Sequence, residues 1–361
     1  MPRKLHIEKV DGKPGEVYYP LKLSEVPKPT PGKNEILVRV SAASLNHRDL
    51  FIRRHMYPGI SFSAPMLADG CGTVAELGAG VTRGDVGVGS RVILTPMRGW
   101  ESDPEGPETG AVVVTGSSRM TDVGAAQDYV VVGEAEVEPA PEHLSDAEAA
   151  ALPLVGLTGW RALVGRTSAA REGANVLLTG IGGGVALQVL QLAVAMGVNA
   201  WVTSADAAKI DRAVAMGAKG GVSYREDKWE AALASMLPAE RPFLDAIIDG
   251  AGGPITAKAV KLLRAGGTIA QYGMTVGPKM DWLMAANLRN ISLHGSTMGS
   301  RREFRDMVAF VREKKITPVV SRVVKGLDNL EAIDELFAEM EAGKQFGKLV
   351  IEIDGKGSSK L

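Results

Sequence analysis

The chain has 361 residues, 45% of them hydrophobic and 23% charged, and a formal net charge of -1. That length allows two domains with separate cores, and the balanced charge gives no sign of the nucleic-acid partner that a basic patch would signal. The only cysteine, Cys71, rules out an internal disulfide and a cysteine-rich structural zinc site, and five histidines at positions 6, 47, 55, 143 and 294 show no metal-ligand spacing.

Each apolar run is interrupted before the roughly 18 residues of a membrane span. Met1 to Glu8 carries charges where a secretory signal needs an apolar stretch, so export is not expected. From Lys4 to Val132 the sequence predicts short strands between Gly and Pro turns. Glu35 to Ser41 alternates by side, and Gly89 to Leu94 bounds another apolar run, which together predict an all-β, barrel-like unit. Trp100 to Gly110, rich in Pro, Glu and Gly, reads as a surface loop. Ser145 followed by Glu148 is a capping box that opens a helical stretch, and the domain boundary is expected just after it, between residues 152 and 153.

Val176 to Ala186 then runs an apolar strand into a glycine cluster and on into the helical run Leu187 to Met196. This strand, loop and helix context is what a dinucleotide fingerprint needs, and it disfavours the alternative of a flexible linker. Gly180, Gly182, Gly183, Gly184 and Val185 are the candidate pyrophosphate-binding residues, with the following helix aiming its unpaired N–H groups at the phosphates. Further strands are expected at Ala200–Thr203, Gly221–Ser223, Phe243–Ile248, Gly267–Tyr272 and Ile291–Gly295. Helices are expected between most of them, at Ala207–Met216, Lys228–Leu237 and Ile255–Leu263. The alternation predicts an α/β fold with a doubly wound, parallel, six-stranded Rossmann sheet. A helix at Arg302–Lys314, another at Leu327–Glu341 and a strand at Lys348–Ile353 complete the chain. The expected division is residues 1–152 with 318–361 as one domain and 153–317 as the other.

Six segments in this order resemble the medium-chain dehydrogenase/reductase superfamily over nearly the whole chain. They are Leu45–Leu50, Asp69–Val74, Leu152–Trp160, the glycine loop, Tyr272–Gly277 and Gly295–Ser300. The resemblance implies a GroES-like β-barrel substrate domain, an inserted Rossmann domain and a homodimer built through the Rossmann sheets. It also shows a departure. Zinc-dependent members carry Cys, His and Cys where this chain has Asn46, Ala68 and Leu154, and catalytic zinc needs about three protein ligands. What remains resembles the zinc-free quinone and enoyl reductase branch, in which NADPH reduces a C=C bond conjugated to a carbonyl. Hydrogen-bond donors can stabilise the resulting enolate without a metal, and a proton then adds at the α-carbon.

Asn46, at a lost ligand position, is expected either to touch substrate or cofactor or to satisfy local loop backbone. Tyr57 is a candidate donor to the carbonyl oxygen or a half-buried loop tyrosine. Arg48 and Asp49 are expected to pair with each other structurally, and Cys71 to be packed. His47 and His55 receive no role. The resemblance places Thr158 at the nicotinamide end, with Gly250, Tyr272, Gly273, Met274, Thr297, Met298 and Gly299 at strand ends lining that pocket or serving as ordinary turns. Ser204 and Lys209 stand near the end of the second strand where an NAD site wants a carboxylate, which predicts NADPH. Asp206 lies past the strand end, where it can cap the next helix. Tyr224 matches a position that contacts the adenosine phosphate in the quinone reductase relatives.

The expected substrate is a small enone, enal, quinone or enoyl thioester, with no nucleic-acid or membrane partner. Quinone or carbonyl reduction is the alternative within enzymes, and a non-catalytic NADPH-binding protein the alternative outside them. Ser359-Lys360-Leu361 reads as a peroxisomal address, with a cytoplasmic location otherwise.

Overall fold

The computed structural model describes residues 1–277 and 279–353. The tripeptide Ser359-Lys360-Leu361 lies outside the described residues. Two units divide the chain: Met1–Leu154 with the segment from Ser300 onward, and Val155–Gly299.

The first unit opens on the antiparallel hairpin of β1 (Arg3–Ile7) and β2 (Leu21–Glu25). The long strand β3 (Glu35–Ser44) follows, then α1 (His47–Arg53), β4 (Asp69–Leu77), β5 (Arg91–Leu94) and the short pair β6 (Met97–Arg98) and β7 (Val113–Val114). β8 (Tyr129–Gly133), β9 (Val137–Pro139) and α2 (Asp146–Ala150) follow. Ser145 caps α2 as its sequence predicts: its hydroxyl accepts from Glu148 N–H, and the Glu148 carboxylate accepts from Ser145 N–H at 2.8 Å. Such a cap is worth about 1 kcal/mol. Residues 100–110 form no regular element, but Trp100 itself is not at the surface. It is 4% exposed, and its indole donates to Asp103 C=O at 2.8 Å, pinning the start of the loop.

The second unit begins inside α3 (Pro153–Trp160), and from there strands and helices alternate. They are β10 (Asn175–Leu178), α4 (Gly184–Ala195), β11 (Asn199–Ser204), α5 (Ala207–Ala215), β12 (Gly220–Ser223), α6 (Trp229–Met236), β13 (Leu244–Asp249), α7 (Ile255–Leu262), β14 (Leu263–Gln271), α8 (Met284–Leu288) and β15 (Ser292–Gly295). The six strands pair in the order β12-β11-β10-β13-β14-β15, all parallel. β10 and β13 are fully buried and mostly apolar, as strands covered on both faces must be. The strand order reverses between them, which makes their carboxyl ends the topological switch point, where such sheets bind ligands.

The chain then returns to the first unit through α9 (Arg301–Lys314), β16 (Val320–Lys325), α10 (Leu330–Glu341) and β17 (Lys348–Glu352). The sheet there has the order β16-β17-β3-β4-β5-β9, with β8 also on β3. The observed division departs from the one read in sequence by moving α9 to the first unit. The reason is ionic and backbone pairing that the sequence does not display: Arg301 and Arg305 meet Glu136 and Glu138, and Arg312 donates to Pro139 C=O at 2.9 Å.

Candidate functional site

In the first unit, β17 runs antiparallel to β3 with Val350 opposite Ser44 and Ile351 opposite Ala43. Continuing that register by two residues sets Lys348 opposite Asn46, the residue that leads into α1. The Lys348 ammonium, 4% exposed, donates to Asn46 Oδ1 at 2.6 Å and to Asp69 Oδ2 at 2.9 Å. Asn46 Nδ2 donates to the same Asp69 oxygen at 2.9 Å. The other carboxylate oxygen of Asp69 accepts Leu154 N–H at 2.8 Å, and Ser44 Oγ lies 3.3 Å from Oδ2. All of these side chains are buried, Asp69 and Ser44 completely.

Asn46 makes side-chain bonds to Asp69 and Lys348 in addition to its local place as the N-cap residue of α1, where it forms a capping box with Asp49. Its backbone N–H is held by Asp49 Oδ2 at 2.8 Å. Arg48 pairs with Asp49 at 3.2 Å and donates to the C=O groups of Thr115 and Gly116, the structural role its sequence suggests. Burial pushes the Asp49 carboxyl up, against the opposing pull of Arg48 and the Asn46 N–H. Tyr57 is half-buried, with its ring on the core and the Arg48 guanidinium 5.0 Å from its centroid. Its hydroxyl bonds to none of the described residues. Cys71 is fully buried, its thiol pushed up to about 12 by burial and the Asp146 carboxylate, so it is packing and no nucleophile. His55 accepts or donates to Tyr19 OH at 2.6 Å within the core rim.

Asn46 and Leu154 meet at Asp69, and Ala68 precedes it in the chain. The three positions a zinc enzyme of this kind would use are thus in one place. The donor set does not fit zinc: an amide, a methyl and an isobutyl group replace three metal ligands, and an ammonium bonds to the amide. Among the described residues no group of three His, Cys, Asp or Glu side chains could hold a metal ion.

In the second unit the glycine loop sits at the end of β10. Gly180 and Gly182 have φ of +67° and +116°, a region L side chains rarely adopt. A Cβ on Gly180 would meet nothing within 4 Å, and one on Gly183 only the Gly180 carbonyl at 3.7 Å. Gly183 is the N-cap of α4 and offers no side chain to its first N–H groups, while Gly184 and Val185 start the helix partly exposed. An open cradle beneath an uncapped helix N-terminus fits a dinucleotide pyrophosphate.

The end of β11 holds this loop, a contact the sequence reading missed. Thr203 Oγ1 accepts Gly180 N–H at 3.2 Å, and Thr203 C=O accepts Ile181 N–H at 2.8 Å. Lys209 lies across the loop, its side chain within 2.8 Å of where a Gly182 Cβ would be. Desolvation lowers its pKa, with Asp206 opposing. Asp206 caps α5 by accepting Ala208 N–H at 2.9 Å. Ser204 is buried, its oxygen accepting Asp206 N–H at 3.1 Å, and Tyr224 is half exposed with its N–H on Ser204 C=O.

The remaining predicted positions gather at the ends of β13, β14 and β15. Gly250 lies under the Tyr272 ring, because a Cβ there would fall 2.5 Å from the phenol carbon. Tyr272 keeps partial exposure overall, but its hydroxyl end is turned against Gly250. Burial and the Asp249 carboxylate raise its pKa. Gly273 approaches the Gly250 carbonyl, and Met274 packs on Gly252. Thr158 is buried, with Oγ1 3.7 Å from Met298 Sδ, and Met298 has φ of +51° between exposed Thr297 and buried Gly299. Ser296 Oγ and Gln271 Oε1 are buried at these same strand ends without a hydrogen-bond partner among the described residues. Orphaned buried polar atoms of this sort fit a polar ligand group, and neither was singled out from sequence.

Comparison with known proteins agrees with this architecture. The family model described as the alcohol dehydrogenase GroES-like domain matches residues 32–142, and that described as zinc-binding dehydrogenase matches residues 184–313. The chain is 54% identical over 358 residues to a zinc-type alcohol dehydrogenase-like protein of Leptosphaeria maculans, covering 98% of this chain and 100% of the relative. It is 29% identical over 335 residues to an acryloyl-coenzyme A reductase of Metallosphaera sedula, covering 91% and 95%. The solved structure of an NAD-dependent alcohol dehydrogenase superposes with a TM-score of 0.83 at 30% identity, over 97% of this chain and 99% of that one. The chain belongs to the medium-chain dehydrogenase/reductase superfamily of nicotinamide-dependent oxidoreductases.

Proposed function

We propose that this oxidoreductase is an NADPH-dependent reductase of C=C bonds conjugated to a carbonyl, working without a metal. The observation that carries the reading is the Lys348–Asn46–Asp69 network at the three lost zinc positions. Conjugate reduction passes through an enolate, and hydrogen-bond donors such as those of this network can hold it without a metal. The acryloyl-coenzyme A reductase likeness supports the same reaction type.

The bound cofactor supplies the hydride equivalent. The chain's residues supply the rest. The glycine cradle and the α4 N-terminus receive the pyrophosphate, and Lys209 over Gly182 supplies a cation where a 2′-phosphate would add charge. Asn46 orients the carbonyl oxygen, and the α-carbon takes its proton from water.

A homodimer is part of the proposal. β15 is a sheet edge, and Met284, Leu288 and Leu293 around it are 68%, 79% and 39% exposed. A second copy pairing at that edge would cover both the apolar side chains and the unpaired backbone.

The test is NADPH oxidation across a panel of enones, enals, enoyl thioesters, quinones and saturated aldehydes, with products identified. Saturated ketones or thioesters as products support the reading. Alcohols would favour carbonyl reduction, the reaction type suggested by the alcohol dehydrogenase likeness, and binding without turnover would favour a non-catalytic protein.

A further inference from the structure

The Asp69 carboxylate, the Lys348 ammonium and the Asn46 amide fix one another's orientation. The amide oxygen faces the ammonium at 2.6 Å and the amide nitrogen faces the carboxylate at 2.9 Å. Flipping the amide would set N–H against ammonium and C=O against carboxylate, so only one orientation is stable. An ammonium carries three N–H donors and a primary amide two. Lys348 directs two donors at Asn46 and Asp69, and Asn46 directs one at Asp69. One N–H on each finds no partner among the described residues. Two unspent donors therefore stand on neighbouring nitrogens, one of them charged, in a region where both side chains are nearly dry: 4% exposure for Lys348 and 6% for Asn46.

Taking an ion pair out of water is costly, and apolar packing of the same volume would often be as stable. The Lys348 ammonium of this pair bonds to Asn46, which stands at one of the three lost ligand positions. Its charge is balanced by Asp69, so an incoming oxyanion would meet a local arrangement that already holds one positive group aimed by two fixed acceptors.

We propose that Lys348 is a catalytic cation that replaces the metal, and that its free N–H and that of Asn46 together form an oxyanion site for the substrate's enolate oxygen. This rests on the conjugate-reductase reading above. A bound nicotinamide would supply the hydride equivalent and its two electrons, and as that hydride bonds to the β-carbon the C=C pair would shift to make the α-carbon–carbonyl-carbon double bond while the carbonyl π pair moves onto oxygen. The oxygen accepts hydrogen bonds from Lys348 and Asn46. The enolate C=C pair then takes a proton from water at the α-carbon, releasing hydroxide to solvent, and the C=O bond re-forms from the oxygen's pair. Lys348 keeps its proton throughout, so the site needs no separate reprotonation.

The test uses the full-length enzyme with NADP⁺ and 3,4-dinitrophenol, whose absorbance distinguishes bound phenolate from neutral phenol, beside enone turnover. Lys348→Met could leave Asp69 unpaired and fail to fold, so the decisive variant is Asp69→Asn/Lys348→Met, with Lys348→Arg as the charge-preserving control. The expected result is wild-type binding of the phenolate, weakened at least about tenfold in the double variant and retained within about fivefold in Lys348→Arg. Enone kcat is expected to fall about 100-fold in the double variant, in the range for loss of an oxyanion donor. Phenolate binding that depends on Lys348 in an enzyme turning over no enone supports the oxyanion site and removes the reductase reading. Enone turnover and phenolate binding within twofold of wild type in the double variant overturn the site and keep the reading.

Discussion

The Lys348 ammonium reaches the Asn46 amide oxygen at 2.6 Å, joining two residues 302 positions apart in the chain. The bond fixes which face of the amide carries its N–H groups, so Asn46 has a defined donor direction. Asn46→Ala removes that donor while leaving the Lys348–Asp69 pair. Steady-state kinetics with an enone and NADPH should show kcat lowered about 100-fold with KM changed much less, because the lost contact strengthens in the transition state. A change confined to KM would make Asn46 a binding residue only.

Lys209 lies over Gly182, and no acid ends β11 at Ser204. Lys209→Ala should weaken NADPH binding by about tenfold to 100-fold, as one charge-assisted contact of roughly 1.5 to 3 kcal/mol would give. NADH binding should change little. Fluorescence titration of both cofactors measures this, and equal losses for the two would separate Lys209 from the 2′-phosphate.

Glu230 on α6 accepts Lys258 and Lys261 of α7 at 2.7 Å each. Burial alone would push it up, but the two ammonium groups outweigh burial and hold its pKa at about 2, below the ordinary 4.5. A depressed carboxylate stabilises the fold fully above its unfolded pKa and loses that contribution as pH falls through the folded value. The gain is about 1 to 2 kcal/mol once screening at the exposed Lys261 is allowed for. Glu230→Gln should therefore be less stable than wild type at neutral pH by this amount, with the gap closing between about pH 4.5 and 2. Urea unfolding across that range checks it, and a gap independent of pH would deny the ion pairs their role.

The exposed Leu288 and Leu293 beside the β15 edge should be covered by a second copy. Light scattering should give twice the 38.0 kDa chain mass, and Leu293→Lys should shift the population toward monomer, because a charge at a sheet edge opposes pairing. A wild-type monomer at micromolar concentration would remove the dimer.

The second unit was legible because its central strands β10 and β13 are buried and mostly apolar and the helices between strands change the period, so β10 to β15 appear within a few residues of their predicted bounds. The helix α1 was not legible. It is only seven residues long, and Arg48, Asp49 and Arg53 are buried in it, so the polar face that marks an amphipathic helix is missing. Their charges are met by Asp49, Arg48 and Asp334, partners that pattern reasoning does not supply. Lys348 was hidden for a related reason. A lysine opening a terminal strand reads as solvated, and only the register of β17 on β3 carries it to Asn46. The glycine loop was recognised from its own spacing, whereas Thr203 was missed because its two bonds to that loop cross between parallel strands.

The central claim, conjugate reduction without a metal, is tested most directly by product analysis with isotope-labelled cofactor. Enzyme treated with a chelator and shown by metal analysis to be zinc-free is given 2-cyclohexenone and NADPH carrying deuterium at C4 of the nicotinamide. The account predicts undiminished turnover to cyclohexanone with the deuterium on the β-carbon. An allylic alcohol with deuterium on the carbinol carbon, or activity that returns only when zinc is restored, would contradict it.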